Sequence, residues 1–417
     1  MTKKYSRHHS VLIIGGGAAG AGMAHRAIKQ LKCGDIAVIE PAEYHYYQPM
    51  WTLVGAGIVS KRRTRKPMSA LLPKEATLIK DRVVAVDPDA RLVETAAGEQ
   101  ISYDWLIVAA GLKLDWNKIE GLSKDIIGQN GICSNYSYDT VHHTWEMIRN
   151  FKEGAALFTM PPMPIKCPGA PQKIAYLAED YFRRKGIRDK CAVKFYTTTP
   201  GIFGVKKYAD ALMNQVIKPR DIETRFRHNL VAIRPGSREA VFENLDTGET
   251  VVEKYDLIHV TPPQSAPDFI RNSAIANSAG WVDVDQHTLQ HNRYPNIFAL
   301  GDCAGTPNSK TAAAVRSQAP VVARNLAAVM NGGEPKAKYD GYGSCPLVTG
   351  YGRTILAEFI YGGEVRETFP FDQGKERLSM YLLKRYVLPL VYWQGLVKGR
   401  QWPRPVPRDF GSDHAPI

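Results

Sequence analysis

Val11-Leu12-Ile13-Ile14-Gly15-Gly16-Gly17-Ala18-Ala19-Gly20 decides the fold. Residues 10–14 form a short apolar run of the kind a buried parallel strand needs. Glycines follow, then a helical pattern over 21–31 and a second apolar run over 35–40 that ends in the acid Glu40. Glu40 lies about 20 residues past the last glycine, where a ribose-binding carboxylate belongs. Gly15, Gly17 and Gly20 permit the tight turn and the close backbone approach, and place a pyrophosphate on the N-terminus of the helix. This is the opening of an α/β dinucleotide-binding domain.

A second such unit is expected near residue 150. There 154–160 reads as a strand, but Pro161-Pro162-Met163-Pro164-Ile165-Lys166-Cys167-Pro168-Gly169-Ala170-Pro171 follows. The glycine fingerprint is missing, and a cysteine among prolines stands in its place. The pattern suggests a flavoprotein whose electron donor is not a nicotinamide but a compound that reacts with sulfur.

The remaining runs repeat the α/β pattern. Strands are expected over 103–111, 192–197, 255–260 and 294–300, helices over 174–185 and 310–330, and a hairpin from 239–244 and 251–254. Gly111 ends one apolar run in a small-residue turn, and Gly301-Asp302 ends another. Asp302 reads as the second half of the flavin site, able to accept ribityl hydroxyls, although Asp also caps helices. The small-residue helix start Lys310-Thr311-Ala312-Ala313-Ala314 leaves room for a flat ring.

The whole chain has 417 residues and a formal net charge of +13. Such a charge suits nucleic acid or an anionic membrane. No arginine-rich run, zinc-finger spacing or basic-region helix supports nucleic acid. The six cysteines have neither Cys-x-x-Cys spacing nor neighbouring histidines, so no metal site and no disulfide scaffold is expected. Cys33 and Cys191, each just before an expected strand, read as inert thiols. Cys167 and Cys345 differ: each precedes a proline, and Lys166 and Lys173 flank the first. Lysine lowers a thiol pKa, so the two are either a reactive pair or unrelated structural thiols. No apolar run approaches the roughly 20 residues that span a bilayer. Residues 375–402 mix cations with Tyr381, Tyr386, Tyr392, Trp393 and Trp402, with Pro389 expected to break the first helix. The mixture fits an interfacial amphipathic anchor or a helix packed on the protein's own core.

Five blocks carry a resemblance. They are residues 47–57 (YQPMWTLVGAG), 167–173 (CPGAPQK), 202–210 (IFGVKKYAD), 310–315 (KTAAAV) and 344–351 (SCPLVTGY). With them the chain resembles the sulfide:quinone oxidoreductase family, within the two-dinucleotide-binding-domain flavoproteins, over nearly its whole length and most of all the branch with mitochondrial members. The resemblance implies FAD and a redox cysteine pair, with Cys167 facing the flavin and Cys345 carrying a persulfide. It places FAD contacts at Ala18, Ala19, Glu40, Gln48, Val83, Asp302 and Lys310, and puts Lys173 and Lys384 near the active and quinone sites. Tyr351 and Tyr381 join them as candidates. Some relatives hold a third cysteine where Cys133 stands, in some of them bonded to the flavin.

The implied architecture is two Rossmann-like domains and a C-terminal helical membrane and quinone module. The FAD domain is expected to be discontinuous, over 1–120 and 280–350, with the second domain over 121–279 and the C-terminal module over 351–417. The implied reactants are sulfide, a membrane quinone and a small sulfane-sulfur acceptor, on an anionic membrane surface, with room for a homo-oligomer. A peripheral protein of a bacterial inner membrane is expected, or of the mitochondrial inner membrane for a processed form. The rival readings are a type II NADH:quinone dehydrogenase, which needs the missing second fingerprint, and a flavin-bearing regulatory protein without turnover.

Overall fold

The computed structural model describes residues 6–31 and 34–401. Cys33 and Trp402 lie outside them.

The first sheet runs in the order Thr77–Ile79, Ile36–Ile39, Arg7–Ile14, Gln100–Val108, Leu92–Thr95, Val83–Asp87. Its first four strands are parallel. Ile297–Ala299 then joins Gln100–Val108 in parallel, pairing with Leu106, Ile107 and Val108. The chain therefore returns to its first sheet after building everything between. Val11, Leu12, Ile13 and Ile14 are at most 3% exposed, which is why this strand is apolar without alternation. Burying each such side chain contributes about 1.5–3 kcal/mol. The helix after the glycines spans Ala18–Arg26, starting earlier than its apolar pattern suggests, and continues through one wide turn, Ala27–Leu31.

The second sheet is parallel throughout, in the order Ile132–Cys133, Leu257–His259, Gly154–Met160, Cys191–Thr197, Glu223–Phe226. Its helix Ala170–Arg184 also begins earlier than expected, because Pro171 suits a first helical turn. The expected hairpin forms from Glu239–Asn244 and Thr250–Lys254, with His228–Arg234 as an additional antiparallel strand. A bulge between Leu230 and Ala232 breaks the two-residue alternation that would have marked this strand in the sequence.

After the long helix Ala312–Met330, a hairpin of Gly343–Gly350 and Arg353–Phe359 precedes the C-terminal helix. That helix runs from Leu378 through Gly395 without a break at Pro389. Wide turns at Leu383–Val387 and Val391–Gly395 flank the proline, and the Leu388 N–H reaches back to the Leu383 carbonyl. The shifted hydrogen-bond ladder accommodates a residue without an N–H. Among the described residues no helix is long and apolar enough to cross a membrane.

Candidate active site and flavin cradle

Cys167 sits on the loop between Gly154–Met160 and the helix Ala170–Arg184, just before the helix N-terminus. Cys345 lies on the strand Gly343–Gly350, opposite Ala357. The fold brings the two sulfurs to 3.9 Å. Gly169 makes this possible: a Cβ there would stand 2.5 Å from the Cys345 Sγ. Cys167 has φ +47, a left-handed conformation that side chains rarely adopt and that functional sites tend to hold.

The two thiols are not equivalent. Lys173, about one turn into the helix, donates from Nζ to the Cys167 Sγ at 3.3 Å. The Cys345 thiol, as donor to the Cys167 sulfur, holds Cys167 well below its ordinary pKa. The Lys173 and Lys384 charges assist, while burial opposes. The helix N-terminus works in the same direction. The Cys345 thiol is correspondingly raised by that hydrogen bond and by burial. Of the two sulfurs, Cys167 is the one on which negative charge is favoured. Burial pushes the other sealed thiols up, Cys303 to about 11 and Cys133 to about 12. Cys133, pinned in a parallel strand beside His259, has none of the lysines that activate Cys167. Cys191 is likewise buried and raised.

Cations surround the pair. Burial works against the Lys173 charge, but the two sulfurs outweigh it and raise its pKa. Lys384 comes from the C-terminal helix, is 3% exposed and donates to the Pro49 carbonyl at 2.8 Å. Burial, then the nearby Lys173 charge, pushes it down to about 8. Lys166 reaches Gln48 Oε1 at 2.6 Å and the Tyr136 carbonyl at 3.1 Å. Burial pushes its pKa down to about 8 as well. Tyr351 donates to the Ala56 carbonyl at 2.7 Å, and buried Tyr381 lies near it.

The glycine turn fits FAD. Gly15 has φ +98, and a Cβ on Gly20 would stand 1.7 Å from the Gly15 carbonyl oxygen, so the helix meets the turn only because residue 20 is glycine. Nothing lies within 4 Å of where a Gly17 Cβ would be, and no side chain caps the helix there. Its first N–H groups are left for an anion. Glu40 accepts from the Gly16 N–H at 2.7 Å and the Ala42 N–H at 2.8 Å, which fixes its carboxylate beside the turn.

The two halves of the cradle meet directly. A Cβ on Gly301 (φ +78) would lie 3.3 Å from the Ala19 Cβ. Burial raises the Asp302 carboxyl, against the pull of Lys310 and Lys166. Lys310 spans the Asp302 and Ala304 carbonyls at 2.7 and 3.1 Å and stands 4.1 Å from the Trp281 ring. Its own carbonyl accepts from the Cys167 N–H at 2.8 Å, tying the flavin half to the cysteine loop. Thr311 caps the long helix by accepting from the Ala314 N–H at 3.1 Å, so its hydroxyl oxygen serves the helix first. Gly111 turns with φ +69 after the strand Gln100–Val108, and Val83 is buried at the start of its strand in the same sheet.

The aromatic segment of the C-terminus divides. Leu378, Leu382, Tyr386, Val387 and Leu390 are 42–60% exposed, while Met380, Tyr381, Lys384, Tyr392, Trp393, Leu396 and Val397 are buried. It is both an exposed apolar face and part of the core. Sequence patterning offered these two roles as alternatives, and it missed the part of His45, which is buried between Gly16 and Tyr392. The dense run Tyr44-His45-Tyr46-Tyr47 was its available signal. His142, His143 and Glu146 gather within 4.8 Å on one helix. The Lys61 Nζ stands 3.2 Å from His142 Nδ1, a cation where a metal would need a free lone pair.

The chain is similar to known proteins over most of its length. The pyridine nucleotide-disulphide oxidoreductase family matches residues 9–141. The mitochondrial sulfide:quinone oxidoreductase of Mus musculus is 50% identical over 393 residues, 94% of this chain and 87% of its own. The protein of that name from Dictyostelium discoideum is 47% identical, over 95% of this chain and 88% of its own. The X-ray structure of the sulfide:quinone oxidoreductase from Aquifex aeolicus superposes with a TM-score of 0.75 at 21% identity, covering 96% of this chain and 93% of that one. At that identity the superposition speaks for the fold alone. The chain belongs to the sulfide:quinone oxidoreductase family and is an FAD-dependent oxidoreductase.

Proposed function

We propose that this enzyme oxidises sulfide to sulfane sulfur and reduces a membrane quinone, with Cys167 and Cys345 as its redox pair. The observation that carries the reading is the pair itself: two buried sulfurs 3.9 Å apart, with the Lys173 ammonium 3.3 Å from one of them. A disulfide needs about 2.05 Å, a closure that two side chains can share.

In the oxidised pair, HS⁻ attacks the Cys345 sulfur. One S–S bond forms and the Cys345–Cys167 bond breaks, giving a persulfide on Cys345 and a thiolate on Cys167. The direction follows from leaving-group chemistry: the sulfur with the lower pKa leaves faster, and Lys173 and the helix N-terminus favour Cys167. The same cations raise the local share of HS⁻ over neutral H₂S. A nucleophilic acceptor then takes the outer sulfur, and Cys345 is left as thiolate. Re-forming the bridge releases two electrons. Bound FAD supplies the two-electron acceptance between this pair and the quinone. Ala18, Ala19, Glu40, Gln48, Val83, Asp302 and Lys310 would hold it, with Gly15, Gly17, Gly20, Gly111, Gly301 and Thr311 shaping the cradle. Lys384, Tyr351 and Tyr381 would border the quinone. Lys384, with its pKa near 8, can hold or release a proton at Nζ as quinone oxygen gains charge.

The strands that share the first sheet support reading 1–120 and 280–350 as one FAD domain, with 121–279 as the second. The exposed apolar line on the C-terminal helix supports a peripheral seat on an anionic inner-membrane surface. Mixing the holoenzyme anaerobically with sulfide should bleach the oxidised-flavin absorbance, and NADH should not. Stoichiometric reduction by NADH with no response to sulfide would sink this reading.

A further inference from the structure

His45 joins two parts of the molecule 347 residues apart in sequence. Its Nδ1 lies 3.2 Å from the Gly16 carbonyl and its Nε2 lies 2.6 Å from the Tyr392 hydroxyl. A carbonyl only accepts, so Nδ1 carries the proton and Nε2 accepts from Tyr392. Burial pushes the imidazole pKa down to about 4, so the ring is neutral and this tautomer is fixed at working pH. Gly16 in turn donates its N–H to Glu40 Oε2 at 2.7 Å. The Gly16 backbone is thereby held from both sides, its carbonyl by the Tyr392–His45 pair and its N–H by the Glu40 carboxylate.

The contacts around it leave little slack. The Tyr47 ring centroid is 4.3 Å from that of Tyr392, and Trp393 meets the His45 ring edge-on at 5.7 Å. A Cβ on Gly16 would stand 2.9 Å from the Met68 sulfur and 3.0 Å from Glu40 Cγ. A Cβ on Gly22 would stand 2.7 Å from the Leu396 carbonyl oxygen, so the C-terminal segment also lies against the flavin-domain helix.

We propose that Tyr392 is a positioning residue of the FAD site: through His45 it holds the Gly15–Gly17 turn in the shape that receives the pyrophosphate and ribose. The C-terminal segment is thereby a support of the flavin cradle as well as a surface helix. The proposal rests on the glycine turn being the FAD site.

Tyr392→Phe removes one hydroxyl and keeps the ring. His45→Asn keeps a donor where Nδ1 stands and removes the acceptor for Tyr392. Each should weaken FAD about two- to tenfold, the range of one hydrogen bond, read as flavin fluorescence released on dilution of the holoenzyme. The double variant should be no worse than either single, because both cut the same link. The rise in melting temperature that FAD confers on the apoprotein should shrink in all three. Unchanged FAD affinity with equal destabilisation of apo and holo forms would make Tyr392 core packing only, and additive losses would break the link into separate contacts; either overturns the proposal. A wild-type protein that fails to retain FAD would instead overturn the flavin reading beneath it.

Discussion

The two strand–turn–helix units of this molecule have the same plan and opposite contents. In the first, Gly15, Gly17 and Gly20 leave a helix N-terminus bare and open. In the second, the turn between Gly154–Met160 and Ala170–Arg184 is closed by the other half of a cysteine pair. Its Gly169 makes room not for a phosphate but for the Cys345 sulfur and Leu347. The same dipole that attracts a pyrophosphate in one unit lowers a thiol pKa in the other. A helix N-terminus is a general device for stabilising negative charge, and the residues just before it decide whether that charge arrives on a ligand or resides on a sulfur.

Removing either sulfur tests the second unit most severely. Cys167→Ser and Cys345→Ser should each lower sulfide-dependent quinone reduction by at least about 1,000-fold, and the double variant should be about as slow as either, as expected of groups that act as one unit. All three should elute with FAD bound, since neither cysteine is among the residues proposed to hold it. Cys191→Ser should turn over normally. Normal turnover in either single variant at 167 or 345 would remove the assignment.

Equivalent glycine-to-alanine changes should separate the units. Gly20→Ala drives a methyl into the Gly15 carbonyl, with 1.7 Å between them, and Gly169→Ala drives one into Cys345, with 2.5 Å. Overpacking of this kind costs about 1–3 kcal/mol. The first variant should be purified depleted of flavin. The second should keep its flavin and lose sulfide turnover, with the sulfurs forced apart. If Gly169→Ala instead loses flavin, the second turn has a nucleotide role that its sequence denies.

Lys173 sharpens the electrostatic side. Its ammonium helps hold the Cys167 pKa below the ordinary thiol value. In the reduced enzyme the reactive thiolate therefore exists above that lowered pKa and is lost as pH falls through it. Lys173→Met removes the positive charge and must move the pKa up. Once the thiol pKa lies above neutral pH, alkylation by iodoacetamide at that pH should slow about tenfold for every further pH unit the pKa climbs, and the midpoint of its pH profile should move to higher pH. An unmoved midpoint would assign the low pKa to the Cys345 hydrogen bond, Lys384 and the helix N-terminus, without Lys173.

The first unit was legible from sequence because its information is local: strand, glycines, helix and acid follow one another within about 30 residues, the span of one βαβ unit. The pairing of Cys167 with Cys345 was not, because it depends on the hairpin at Gly343–Phe359 folding back over the second helix across 178 positions. The shared Cys-Pro pattern left a reactive pair and two unrelated thiols equally open, and the family resemblance chose the pair. Gln48 was named through that resemblance, but its bond to Lys166 joins residues 118 positions apart and leaves no periodic trace. The expected break at Pro389 failed for a different reason. Helix-breaking rules assume a ladder of 3.6 residues per turn, and this helix inserts wide turns on both sides of the proline.

Those wide turns also shape the smallest expected effect, which neither helix N-terminus should feel. An α-helix drifts when residues repeat every four positions; inserting turns of more than 3.6 residues corrects the drift and keeps Leu378, Leu382, Tyr386 and Leu390 on one exposed line. Truncating the chain before this helix would not test that line, because it also removes buried Tyr392, Trp393, Leu396 and Val397 from the flavin domain. Leu382→Ser with Leu390→Ser acts on the exposed side chains alone, at 43% and 53% exposure. Each change forfeits at most about 1–2 kcal/mol of apolar burial in an interface, since half of each side chain is already covered. Co-flotation with anionic liposomes should fall several-fold, more at high salt, where the basic residues nearby are screened. Sulfide should still bleach the flavin at the wild-type rate, and turnover with a short-chain quinone should hold, while turnover with a long-chain quinone in liposomes falls. Undiminished flotation of the double variant would mean that the exposed line faces something other than lipid.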